Sequence, residues 1–152
     1  MDDVDRKILS LLQVDADLAL ADIAAQVGLS TTPCWRRIQN LEKSGVIRAR
    51  VALLDAAKVN VGVTVFVRIR TNRHDLEWLG QFARAVADIP EIVEVYRMSG
   101  EIDYVLKVVV PDIASYDAIY QRLIGAVPMM DVSSNFAMEE IKLTTALPLA
   151  YA

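Results

Sequence analysis

Residues 30–50 hold Arg36, Arg37, Lys43, Arg48 and Arg50 against a single acid, Glu42, with Gln39 and Asn40 between them. Guanidinium and carboxamide groups can pair bidentately with base edges in a major groove, while Thr and Lys suit phosphate oxygens. The chemistry within reach of this stretch is recognition of a polyanion rather than bond-making. A solvated helix face has the same composition, so charge alone leaves both readings open.

Residues that could make or break bonds are scarce. His74 is the one histidine and Cys34 the one cysteine, which excludes a histidine cluster, an intramolecular disulfide and a multi-cysteine metal site. His74 falls in a polar turn with no matching nucleophile. Cys34 falls on an apolar stripe and reads as a small buried residue rather than a redox thiol. Glu139 and Glu140 alternate along an extended segment, so they do not form an acid/base pair. There is no GxGxxG, P-loop or HExxH. No catalytic residue and no metal or cofactor site is expected. The best small-molecule feature is Ser99-Gly100-Glu101-Ile102-Asp103-Tyr104. Its glycine lets backbone amides approach a ligand and Asp103 could take an ammonium group, although a plain hairpin reads the same way.

The chain has 152 residues, 54% of them hydrophobic and 24% charged, which suffices for one domain or two small ones. Its net charge of −4 argues at first sight against nucleic acid. The charge is uneven, however. Residues 1–60 are balanced at eight basic and eight acidic, and residues 61–152 carry the whole excess of acid. No apolar run is long enough to span a membrane, and the start lacks a signal-peptide pattern, so a cytoplasmic protein is expected.

The elements follow two periods. Val4, Ile8, Leu11 and Leu12 mark a first helix, and Leu20, Ile23, Ala24 and Val27 a second, with Gly28 at its C-cap. Ser30 or Thr31 can cap a third helix that tolerates Pro33 in its first turn and buries Cys34, Ile38 and Leu41. This is helix-turn-helix spacing. At about 100° per residue, Thr32, Arg36, Gln39, Asn40 and Lys43 face outward, with Trp35 and Arg37 on the flanks. Val46–Leu54 then alternates like a strand carrying Arg48 and Arg50 on one side.

The second half predicts βαββαβ. Strands are expected over Val61–Ile69, Ile92–Met98, Ile102–Val110 and Val132–Ile141, with helices after Asp75 and Asp112. That order is the split pattern of a ferredoxin-like domain. Apolar residues on both strand faces predict a second layer, which we expect to be the same sheet of another copy. The fold class is thus α+β. An N-terminal helix-turn-helix of winged-helix type occupies residues 1–60, and a C-terminal ferredoxin-like domain residues 61–152.

Three runs in order, Asp5-Arg6-Lys7-Ile8-Leu9, Val27 to Cys34 and Leu41 to Ile47, resemble the leucine-responsive/asparagine-regulator (Lrp/AsnC) family of transcription regulators. Ser99 to Tyr104 matches that family's effector turn, and Met138-Glu139-Glu140 its last strand. The resemblance covers nearly the whole chain. It implies a DNA-binding helix-turn-helix, a ferredoxin-like amino-acid-sensing domain, homodimers, and octamers built as four dimers. The implied DNA contacts are Ser30, Thr31, Thr32, Trp35, Arg36, Arg37, Gln39, Asn40, Lys43, Arg48 and Arg50. Ser99, Gly100, Asp103 and Tyr104 would line the effector site, completed by Ser134, Asn135, Phe136 and Ala137 on the strand expected beside them.

Thr31 to Trp35, Arg97 to Glu101 and Phe136 to Pro148 are further similar to the branch that responds to cysteine and activates a cysteine desulfidase. The small polar Ser133, Ser134 and Asn135 favour a small or polar effector. L-cysteine fits, as do serine, alanine or asparagine, and leucine fits less well. An effector-independent DNA-organising protein is the alternative.

Overall fold

The computed structural model describes residues 1–152. The chain divides into two compact units, Met1–Leu53 with Ile141–Ala152, and Leu54–Glu140.

The first unit is helical: α1 (Asp3–Leu12), α2 (Leu20–Val27) and α3 (Thr31–Lys43). A reciprocal capping box between Asp2 and Asp5 opens α1. Gly28 ends α2 at φ 72°, a left-handed conformation that disfavours side chains with a Cβ, and the Leu29 N–H returns to the Ala24 carbonyl at 2.9 Å. That reversal sets up α3 within three residues. Ile8, Leu9, Leu12, Ile23, Ala24, Cys34, Ile38 and Leu41 form the core. Burial pushes the Cys34 thiol pKa up, which keeps it protonated and inert.

The second unit is a four-stranded antiparallel sheet covered by two helices. In chain order these are β1 (Val63–Arg70), α4 (Leu76–Ala87), β2 (Ile92–Arg97), β3 (Tyr104–Val110), α5 (Ile113–Ala126) and β4 (Asp131–Phe136). The spatial order is β2-β3-β1-β4. Asp75 and Asp112 accept from the Trp78 and Ser115 N–H groups and cap α4 and α5, as the sequence predicts. Val65, Val67, Ile69, Leu106, Val108 and Val110 pack with Trp78, Phe82, Tyr116, Ile119 and Leu123. The opposite sheet face mixes Phe66, Tyr96, Val105 and Val109 with Arg68, Lys107 and Glu94.

Four sequence expectations are corrected. Val46–Leu54 forms no strand. Val46, Val51, Leu53 and Leu54 are exposed, and an alternating pattern without a neighbour to pair with gains no ladder. β4 stops at Phe136 rather than Ile141, because Phe136 pairs with Val65 and β1 begins two residues beyond it. Glu139 and Glu140 therefore lie outside the sheet. Residues 141–152 group with the first unit instead of the second. Gln13 grips Leu147 through both amide atoms, donating from Nε2 at 3.1 Å and accepting at Oε1 at 2.9 Å, and Leu149 packs on the helical core. Finally, Ser30 is the N-cap residue of α3, but no side chain caps it.

Candidate nucleic-acid interface and effector turn

Of the five residues expected to face outward on α3, Thr32, Arg36, Asn40 and Lys43 are exposed and Gln39 is half-buried. Thr31 and Trp35 are exposed as well, and so are Ser30, Arg48 and Arg50 on either side. Their availability differs. Arg37 lies on the flank facing α1, where its Nη1 donates to Asp5 at 2.7 Å and Asp2 at 2.8 Å. The Asp5 and then the Asp2 hydrogen bonds raise its pKa further. Asp2 in turn is held below the ordinary carboxylate range, chiefly by the Asp5 N–H and then by Arg37. Glu42 receives Gln39 at 2.8 Å and Arg50 at 3.0 Å. The cationic and amide side chains left without an internal partner are Arg36, Asn40, Lys43 and Arg48.

The helix starts reinforce this face. α1, α4 and α5 each have an aspartate cap, whereas α2, which begins after Ala19, and α3, which begins after Ser30, have no side-chain cap. Their first N–H groups are therefore unclaimed by side chains and carry the positive end of the helix dipole.

At the candidate effector turn, Ser99 and Gly100 are exposed, with Gly100 at φ 104°. The Met98 N–H donates to the Asp103 carbonyl at 2.8 Å and the Asp103 N–H to the Ile69 carbonyl at 3.0 Å. The Asp103 carboxylate is not idle: Oδ2 accepts from the Thr71 N–H at 2.8 Å, tying the turn to the end of β1. Its Oδ1 lies 3.9 Å from His74 Nε2. Thr71 and His74 had no signal in the sequence, because both lie about thirty residues from their partner.

Three expected members sit elsewhere. Tyr104 is only 5% exposed and packs in the core, its ring centroid 4.7 Å from Phe82 and 5.8 Å from Trp78. It faces the helices, away from any ligand lying on the turn. Ser134 and Phe136 also face the helices: Ser134 shares a hydrogen bond with the Tyr116 hydroxyl, and Phe136 packs edge-on to that ring. Asn135 lies on the opposite face, and the Ala137 N–H donates to the Thr64 carbonyl at 2.9 Å.

More importantly, β2 and β4 are the two opposite edges of the sheet. Three strand spacings, about 14 Å, separate them. The Ser99–Asp103 turn joins β2 to β3 and reaches β1 through Asp103, whereas Ser134–Ala137 runs along the other side of β1, so the segment expected beside the turn is not its immediate neighbour.

Two family models match the chain. Residues 1–48 match a winged helix-turn-helix DNA-binding model and residues 64–147 the Lrp/AsnC ligand binding domain. The chain belongs to the Lrp/AsnC family. It is 47% identical over 150 residues to the DNA-binding transcriptional activator DecR of Escherichia coli, covering 98% of this chain and 99% of that one. It is 49% identical over 149 residues to the glutamate uptake regulatory protein of Zymomonas mobilis, covering 98% and 91%.

Among solved structures, an AsnC family transcriptional regulator from Agrobacterium tumefaciens superposes with a TM-score of 0.95 at 64% identity, covering 99% of each chain. A transcriptional regulator from Neisseria meningitidis in complex with L-Met gives 0.94 at 34% identity, covering 99% of this chain and 98% of that one. As a family member, this chain is a DNA-binding transcriptional regulator with an amino-acid-binding domain, and its fold is the α+β arrangement read from the sequence.

Proposed function

We propose that this Lrp/AsnC regulator reads a roughly two-fold DNA site through α3 and is modulated by a small amino acid, L-cysteine first among the candidates. The observation that carries the DNA reading is the selective availability of the α3 face: Arg36 and Asn40 are exposed and unpaired on it, and α3, like α2, starts without a side-chain cap. Arg36, Gln39 and Asn40 read base edges. Lys43, Arg48 and the N–H groups at the starts of α2 and α3 hold phosphates. Gln39 and Arg50 join them by leaving Glu42, and Arg37 acts through its ion pair instead.

The amino acid binds where the Ser99–Asp103 turn of one copy meets the β4 segment of another, so the site exists only in an assembly. Dimers form through the open sheet face, and dimers gather into octamers. Ligand binding then shifts the balance between assemblies and the spacing of the paired α3 helices. The resemblance of Thr31 to Trp35, Arg97 to Glu101 and Phe136 to Pro148 to the cysteine-responsive branch, and the small polar side chains of Ser133 and Asn135 on the open face of β4, support cysteine. We propose a cytoplasmic location; no helix is long and apolar enough to cross a membrane.

The experiment is thermal unfolding of the reduced protein against the twenty amino acids, alongside duplex binding at several salt concentrations. A ligand at 100 times its Kd adds about 2.7 kcal/mol, on the order of several degrees here. A selective upward shift with cysteine supports the effector assignment, and a shift with a different amino acid replaces it. A duplex affinity independent of salt would refute the DNA reading.

A further inference from the structure

The two tryptophans have opposite situations. Trp78 is fully buried, and its indole N–H donates to the Pro128 carbonyl at 2.7 Å. Trp35, the fifth residue of α3, is 52% exposed. One position past Cys34, it is turned about 100° out of the core stripe. No aromatic ring packs on it and its N–H has no acceptor within the chain. With Leu20, Thr31 and Thr32 it lines a shallow hollow of about 190 Å³.

That hollow lies in the first half of the recognition helix, on the same side as Thr32 and next in sequence to Arg36. Residues at the start of such a helix are the ones that meet base edges. Arg36, Gln39 and Asn40 supply hydrogen-bonding groups, and none of them can recognise an apolar feature. The major groove offers one apolar feature, the 5-methyl group of thymine.

We propose that Trp35, backed by Leu20, reads a thymine in each half-site by taking its 5-methyl group against the indole face. This rests on α3 being the recognition helix. It adds to that reading a specificity element that makes no hydrogen bond to the base.

The test starts from duplexes selected by the wild-type chain from a random pool. Each thymine of the half-site is then replaced singly by deoxyuridine, which removes the methyl and nothing else. One position per half-site should weaken wild-type binding about three- to fivefold at fixed salt. Trp35→Ala should bind the thymine and deoxyuridine duplexes equally at that position, with an unchanged salt slope. Trp35→Phe, which keeps an apolar ring, should retain part of the discrimination and controls for folding. The selected duplex should also protect the wild-type chain from acrylamide quenching, since Trp35 is the accessible indole.

If no deoxyuridine substitution matters, or Trp35→Ala keeps the full discrimination, the proposal falls. It also falls if Trp35→Ala weakens every duplex alike, which would mean packing on the sugar-phosphate backbone. Sequence-selective binding with any of these outcomes leaves the α3 reading intact, whereas no duplex binding at all overturns both.

Discussion

The Arg37 guanidinium of α3 donates to the Asp5 carboxylate of α1 across 2.7 Å, and Asp5 is also half of the capping box that starts α1. One carboxylate thus fixes the beginning of α1 and the azimuth of α3. With Arg37 turned toward α1, Arg36 is left to face outward.

This pairing separates two adjacent arginines by function. Arg37→Met is expected to lower the melting temperature and to leave the salt dependence of duplex binding unchanged. Arg36→Ala is expected to cost about 1–3 kcal/mol on a selected site and to relax the preference at one base position, and Lys43→Ala should reduce the salt slope by about one. Binding isotherms at four or five salt concentrations distinguish the three. A reduced slope in Arg37→Met would return that residue to the phosphate contacts.

The same cluster gives an acid dependence. The folded chain depresses the Asp2 pKa, through the Asp5 N–H first and Arg37 second. Asp2 therefore contributes stability that is present above its unfolded value, near 3.8, and is lost as pH falls through the lower folded value. Asp2→Asn should flatten that part of the acid limb, leaving the variant less stable than the wild type at neutral pH and converging with it in acid. Denaturant unfolding between pH 2.5 and 5, followed by helical circular dichroism, measures it. An unaltered acid limb would mean that the pairing does not persist in solution.

Asp103 has two possible duties, holding Thr71 and meeting an effector's ammonium group. Asp103→Asn retains an acceptor for the Thr71 N–H and removes the charge, whereas Asp103→Ala removes both. Asn is expected to restore the melting temperature lost in Ala without restoring the amino-acid-induced shift. If Asn responds as the wild type does, Asp103 only builds the turn.

Tyr104 makes the complementary case. Its ring packs among Trp78 and Phe82. Tyr104→Phe should leave amino-acid affinity unchanged, and Phe82→Ala should cost about 3–5 kcal/mol by opening a cavity in the same cluster. A large loss of affinity in Tyr104→Phe would bring its hydroxyl back into the ligand site.

These residues also show what a sequence carries. The apolar spacing of α3, the Gly28 reversal and the aspartates before α4 and α5 are local signals, and the structure follows them. Strand alternation was equally visible. Which parity of β3 meets the helices is fixed by the β1–β3 register, where Tyr104 pairs with Ile69, and register is not local. The separation of the Ser99 turn from Ser134 follows from strand order, which the βαββαβ pattern contains only once the fold is applied. The ion pairs of Arg37 and the Asp103–Thr71 bond join residues more than thirty positions apart, and periodicity carries no information on such pairs. Val46–Leu54 shows the converse, an alternating pattern with nothing beside it to pair with.

Gln13 illustrates a long-range contact whose role can be isolated. Its amide engages both the N–H and the carbonyl of Leu147, as a strand neighbour would, and Arg6 Nη1 donates to the Ala152 carbonyl at 2.7 Å. The tail is thereby held along α1 at two points, with Leu149 on the helical core between them. Gln13→Ala removes one hold and leaves Arg6 and Leu149 in position. Because the bonds are solvent-accessible, the global cost should be about 0.5–1.5 kcal/mol per bond at most. The local effect should be larger: amide exchange at Leu147 should accelerate, and limited proteolysis should cut residues 144–148 sooner, while exchange in the α3 core is unchanged. Equal exchange at Leu147 in both proteins would mean that Leu149 packing alone retains the tail.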